Sequence, residues 1–156
     1  MIKELSEKIP EEIDEREVYE RNPLDESNPL KVVLVQEIAR YNRLLRYVRN
    51  SLINLEKGIS GLVVISEDLE TVMYSLYEGK VPLSWKFCYQ SLKSLYSWVE
   101  DLQRRIKQLH DWAFIAEPPV FWISGFSFPT GFTTALLQKS ARRQRAPIDQ
   151  FGWDFQ

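Results

Sequence analysis

The chain holds a single cysteine, Cys88, and a single histidine, His110, in 156 residues. One cysteine cannot close an internal disulfide, which suits a reducing compartment. Without a second sulfur or imidazole, Cys88 builds neither a metal site nor a dyad, and it reads as a small buried apolar residue. His110 precedes Asp111, but adjacent helical residues point about 100° apart, so the two do not read as an acid–base pair. The phosphate loop G-x-x-x-x-G-K-[ST] is absent, and Gly58 and Gly61 read as a helix stop and a turn. The opening residues "MIKELSEKIPEEIDE" contain no apolar segment of the kind a signal peptide requires. Net charge is only −2, so no global field draws nucleic acid or anionic lipid. No catalytic site, cofactor site or metal site is expected.

Aromatic and aliphatic side chains are plentiful. Hydrophobic residues make up 44% of the sequence and aromatics 13%, enough for the core of one domain or of one piece of a larger domain. Charge is uneven. Residues 1–28 carry four basic and ten acidic side chains, while the remainder carries sixteen basic and twelve acidic. The carboxylates Glu11, Glu12, Asp14, Glu15 and Glu17 suggest a solvated, weakly ordered arm.

The stretch "PPVFWISGFSFPTGF" (Pro118 to Phe132) combines five aromatics with three prolines, two glycines and no charge. Uncharged residues run on to Gln138, close to the ~20 needed to cross a bilayer. Pro118, Pro119 and Pro129 interrupt helical hydrogen bonding, and five Ser and Thr residues dilute the apolarity, so no membrane span is expected. Five aromatics at ~150–250 Å² each when buried supply packing surface rather than reactivity. The segment reads as a joint between layers of a core.

Around that joint the pattern is helical. Short helix signals lie near Ile2–Lys8 and Pro10–Tyr19, followed by the turn-rich "RNPLDESNPL". Asn28-Pro29 opens a long helix, with Asn28 as cap and Pro29 in the first position. Leu34, Ile38, Tyr41, Leu45, Val48, Leu52 and Leu55 succeed one another in steps of three and four, and Gly58 is expected to end the helix. Ser66 caps a second helix that stops at Gly79. A third spans about Leu92 to Phe114 and should pack on the first. "VFWISGFSF" suggests a strand or extended segment near 120–128. Pro129 opens a fourth helix to about Arg143. After Pro147, Phe151, Trp153 and Phe155 alternate with Gly152 and Asp154 as a strand would. A strand does not stand alone, so partner strands are expected beyond Gln156. The expected fold is mainly α: four main helices, a short extended element and the first strand of a β-barrel.

Two residue sets are candidates for contact. Phe121, Trp122, Phe126, Phe128, Phe132, Phe151, Trp153 and Phe155 would anchor the helical part to the strands beyond it, with Trp122 and Phe128 in the core. The uncovered aromatic strand face would recruit a second copy. Lys139, Arg142, Arg143 and Arg145 form a basic helical patch. It could serve a free-standing adaptor for an acidic protein or RNA, although short charge runs on helices are usually solvated faces and no aromatics share this one.

Four blocks, "NPLKVVLVQEIARYNRLL", "LEKGISGLVVIS", "GKVPLSW" and "PPVFWISGFSFPTGFTTALLQKSARR", resemble in that order the C-terminal region of dynein heavy chains, in their axonemal branch. The resemblance covers about Asn22 to Gln156. In "FSFPTGF" a bulky residue is more usual where Ser127 stands. The resemblance implies that residues 1–28 close the helical lid of the sixth AAA+ module and link it to a C-terminal domain from residue 29. It implies a helical segment that leads to a β-barrel, lies on one face of the motor ring and modulates motility. ATP and Mg would bind in the parent ring, outside these residues. Partners would be that ring and, through the parent protein, intermediate and light chains and microtubules. The setting would be the cytoskeleton of the cytoplasm and the ciliary axoneme.

Overall fold

A computed structural model describes residues 1–25 and 27–144. Among these the regular elements are all helical: α1 (Ile2–Lys8), α2 (Glu15–Arg21), α3 (Pro29–Ile59), α4 (Glu67–Tyr77), α5 (Leu95–Phe114) and α6 (Pro129–Gln144), with short 3-10 turns at Leu83–Trp85 and Ile123–Gly125. The mainly helical class is as expected, with six helices in place of four. The proposed strand through Phe151, Trp153 and Phe155 lies outside the described residues.

Helix α3 is the axis. Its 31 residues span about 46 Å at 1.5 Å per residue. Each of the other five helices touches it, and α2 also meets α5. The stripe from Leu30 through Leu34, Ile38, Tyr41, Leu45, Val48 and Leu52 to Leu55 is buried along its whole length. Helix α6 packs on α3 most extensively, and α5 packs beside it as expected. The third expected helix begins at Leu95 rather than Leu92, because Ser94 is extended and stands as its cap.

Two expected caps are corrected. Asn28 is the first residue outside α3, but its side chain makes no capping bond; its Oδ1 is buried without a partner among the described residues. Gly58 lies inside α3. A Cβ there would sit 2.6 Å from Ile65 Cγ1, so the glycine admits the loop returning toward α4, and Gly61, at φ +75°, takes the left-handed turn that only glycine adopts cheaply. Ser66 behaves as expected: its hydroxyl accepts from the Leu69 N–H at 3.2 Å.

The acidic arm is ordered. Leu5, Ile9, Ile13 and Val18 are buried in the common core; of its carboxylates Glu15 and Glu17 lie in the first turn of α2, Asp14 caps it, and Glu11 and Glu12 lie between the two helices. Asn42 of α3 clamps the backbone of Ile13, accepting from its N–H at 2.8 Å and donating to its carbonyl at 2.7 Å. Arg49 donates to the carbonyls of Ile9 and Pro10 at 3.1 and 3.0 Å, and Arg46 pairs with Glu12 at 2.8 Å. Asn22 donates to the Ala113 carbonyl of α5 at 3.0 Å. The bonds from Asn42 and Arg49 satisfy a backbone that has no helical partners between α1 and α2.

No strand forms at 120–128. Trp122 and Phe126 are extended, but a 3-10 turn separates them. Gln108 of α5 takes the place of a neighbouring strand. Its Oε1 accepts from the Trp122 N–H at 2.8 Å and its Nε2 donates to the Trp122 carbonyl at 3.2 Å.

Candidate functional site

The joint between α5 and α6 is fastened to α3 by two residues one turn apart. Glu37, fully buried, receives the backbone just before α6. Its Oε2 accepts from the Ser127 N–H at 2.7 Å and the Ser127 hydroxyl at 2.8 Å. Its Oε1 accepts from the Phe128 N–H at 3.0 Å and from Arg40 at 3.2 Å. A carboxylate on the unpaired amides that precede a helix satisfies them and complements the positive end of its dipole. Here the carboxylate comes from another helix, so capping α6 also fixes where α6 sits. Ser127 supplies the hydroxyl of this latch.

Tyr41 makes the second fastening. Its hydroxyl donates to the Gly125 carbonyl at 2.8 Å and accepts from Arg105 at 2.9 Å. Arg105 also donates to Asp101 at 2.7 Å, and Lys93 donates to the other oxygen of Asp101 at 3.1 Å. The Arg105 guanidinium lies 3.8 Å from the Tyr89 ring centroid and 5.3 Å from that of Trp122. Burial pushes the Tyr41 and Tyr89 hydroxyls up, so both stay neutral. Burial would raise the Asp101 carboxyl too, but its bonds from Arg105 and Lys93 prevail and hold it below the usual range. Breaking one side of such a buried pair is expensive because it strands the other charge.

Around the latch the aromatics stack. Phe126 and Phe132 lie parallel at 4.6 Å, Phe121 tilts onto Phe132 at 4.8 Å, and Trp112 of α5 meets Phe121 edge-on at 5.0 Å. Pairs of this kind contribute about 0.5–1.5 kcal/mol each beyond area burial. Phe126 and Phe132 are the core residues of the segment. Trp122 and Phe128, expected in the core from the sequence, are half-buried and exposed respectively. Each ring's position reflects its neighbour: Trp122 lies over Gly125, and Phe128 lies over Gly131 and under Arg40 at 5.6 Å.

The remaining candidates are dispersed. Lys139 faces Glu117 at 3.6 Å, while Arg142 and Arg143 are exposed and Arg145 lies outside the described residues. His110 is exposed, tilts against the Phe114 ring at 4.8 Å, and does come within 3.6 Å of the Asp111 carboxylate, a contact the helical-angle argument did not allow. Asp111 is already held by Lys107, and no further reactive group among the described residues joins the pair. Cys88 is only partly buried, and burial pushes its thiol up to about 11. Among the described residues no cluster of His, Cys, Asp and Glu could hold a metal, and no helix is long and apolar enough to cross a membrane.

Glu37, Asn42, Asp101, Arg105 and Gln108 do not stand out in the sequence. The available signal is their position: each polar residue interrupts or borders an apolar stripe, and Asp101 and Arg105 are spaced i,i+4.

The family pattern described as dynein heavy chain, C-terminal domain, matches residues 1–156. The protein belongs to the family of dynein heavy-chain carboxy-terminal domains. It is 47% identical over 153 residues to mouse dynein axonemal heavy chain 2, a match that takes in 97% of this chain and 3% of that protein. The human dynein axonemal heavy chain 2 matches to the same extent. The Chlamydomonas reinhardtii dynein-1-beta heavy chain, of the flagellar inner arm I1 complex, is 45% identical over 152 residues. The chain thus spans about 3% of the length of the curated relatives it matches. These relatives are axonemal heavy chains, the branch expected from the sequence. Within the family domain, the latch and the stacked aromatics make α3, α5 and α6 a single packed body.

Proposed function

We propose that these residues are a non-catalytic segment of an axonemal dynein heavy chain, packing on the AAA+ ring of an ATP-driven microtubule motor and modulating motility in cilia and flagella. The family match along all 156 residues carries this reading. The interior supports it: the buried charged groups Glu37, Asp101 and Arg105 are all bonded to backbone or to neighbouring side chains, an arrangement that fixes shape. In this reading residues 1–28 end the helical lid of the sixth AAA+ module, and a β-barrel lies beyond Gln156. ATP and Mg act in the parent ring. Intermediate chains, light chains and microtubules are met through the parent protein, in the cytoskeleton of the axoneme.

The test is made in the parent motor. Glu37→Ala loosens the segment without touching a nucleotide site. Microtubule gliding speed should change while nucleotide binding by the ring is retained. Unaltered gliding by a motor whose segment is demonstrably loosened would contradict a modulatory role.

A further inference from the structure

On the outer face of α3, Arg40 and Arg43 stand one turn apart over two exposed phenylalanines. The Arg40 guanidinium is 5.6 Å from the Phe128 ring centroid, and the Arg43 guanidinium is 5.5 Å from that of Phe87. Tyr47 continues the row, meeting Phe87 edge-on at 5.6 Å. Between the two arginines lies an open cleft of about 380 Å³ lined by Arg40, Arg43, Phe87, Cys88, Ser127 and Phe128.

The charges around this cleft do not cancel. Among the described residues Glu37 is the only carboxylate bonded there, and it is shared among Arg40, Ser127 and Phe128. Arg43 is exposed and makes no ion pair among the described residues, whereas its neighbours Arg46 and Arg49 pair with Glu12 and Glu11. The Cys88 thiol, pushed up to about 11 by burial, adds no opposing charge at neutral pH. A guanidinium resting on an aromatic face keeps its outer N–H groups free and pre-oriented, which suits two-point binding of a carboxylate.

We infer that the Arg40–Arg43 cleft is a docking site for an acidic protein segment, one carrying a carboxylate beside an aromatic or aliphatic side chain. The carboxylate pairs with Arg43, and the neighbouring side chain lies on Phe87 or Phe128. Charge complementarity selects this occupant. A nucleic acid would need a track of free cations, and the next two arginines along the helix are already paired. The site stands whether or not the domain lies on a motor ring.

The experiment is titration of the 156-residue protein with the peptide Asp-Asp-Phe-Asp-Asp-amide carrying fluorescein on its amino terminus, followed by anisotropy and by NMR shifts of the arginine Nε–H groups. Binding should shift the Arg43 signal, weaken with salt, and fall about tenfold or more in Arg43→Gln, the loss of one charge-assisted pair. Arg43 is exposed, so this variant should fold; an unchanged melting curve confirms that. Equal affinity for the all-Asn counterpart of the peptide, or unchanged binding by Arg43→Gln, would overturn the site. So would shifts confined to Arg142 and Arg143. Tighter binding of a single-stranded oligonucleotide through Arg43 would overturn the choice of occupant, as would Arg43-dependent dimerisation in sedimentation.

Discussion

The Glu37 carboxylate accepts the Ser127 backbone N–H at 2.7 Å across ninety residues of sequence. The contact makes the start of α6 depend on the middle of α3. Glu37→Ala leaves the Ser127 and Phe128 amides without an acceptor in a part-buried site, and it frees Arg40. An unsatisfied buried polar group costs about 1–3 kcal/mol, so a loss of about 3 kcal/mol is expected in urea unfolding. Glu37→Gln, which keeps an acceptor oxygen, should lose less.

Asp101 gives the fold a pH dependence. Its carboxyl is held below the ordinary value, since the bonds from Arg105 and Lys93 outweigh burial. A group depressed in the folded state contributes stability above its unfolded value, near 4, and loses that contribution as pH falls through the folded value. Asp101→Asn should cost about 3–5 kcal/mol at pH 7 by stranding Arg105. The gap from wild type should narrow as pH drops below about 4. Urea midpoints at several pH values check both statements.

Gly125 and Gly131 should answer differently to alanine. A Cβ on Gly125 would lie 2.5 Å from the Trp122 ring. That residue is pinned by Gln108 at its backbone and lies near Arg105 at its ring. Overpacking there is expected to cost about 1–3 kcal/mol. On Gly131 the Cβ would meet the Phe128 ring at a similar distance, but Phe128 is exposed and can swing aside. Alanine also favours a helix over glycine by about 1 kcal/mol, so Gly131→Ala should be near neutral. Thermal melts of the two variants side by side decide it.

Leu45→Asp tests the seam of α3. Leu45 is fully buried, and an unpaired carboxylate there has no partner. A loss of more than about 4 kcal/mol, or failure to fold, is expected. A wild-type melting temperature would contradict the placement.

The helices are legible in the sequence because their apolar residues repeat at 3.6. The stripe of α3 from Leu34 to Leu55 and the Ser66 cap come from spacing and cap chemistry alone. Order in the acidic arm is not legible, since the charge density along Glu11–Glu20 masks the buried Ile13 before α2 and Val18 within it. The segment reads as a strand or an extended stretch because Val120 and Ile123 carry strand propensity, while the actual partner of Trp122 is a side-chain amide on another helix. Glu37 and Arg105 read as ordinary surface charges until tertiary packing encloses them. Long-range bonds of this sort leave no local periodicity.

Native-state hydrogen exchange of the Ser127 and Phe128 amides tests most directly whether the aromatic segment is a fixed joint latched to α3. Both amides should exchange slowly in the wild-type protein, close to the rate of the buried amides of α3. In Glu37→Ala they should exchange markedly faster than the α3 core. Rapid exchange at Ser127 and Phe128 in the wild-type protein, with α3 still protected, would contradict the latch.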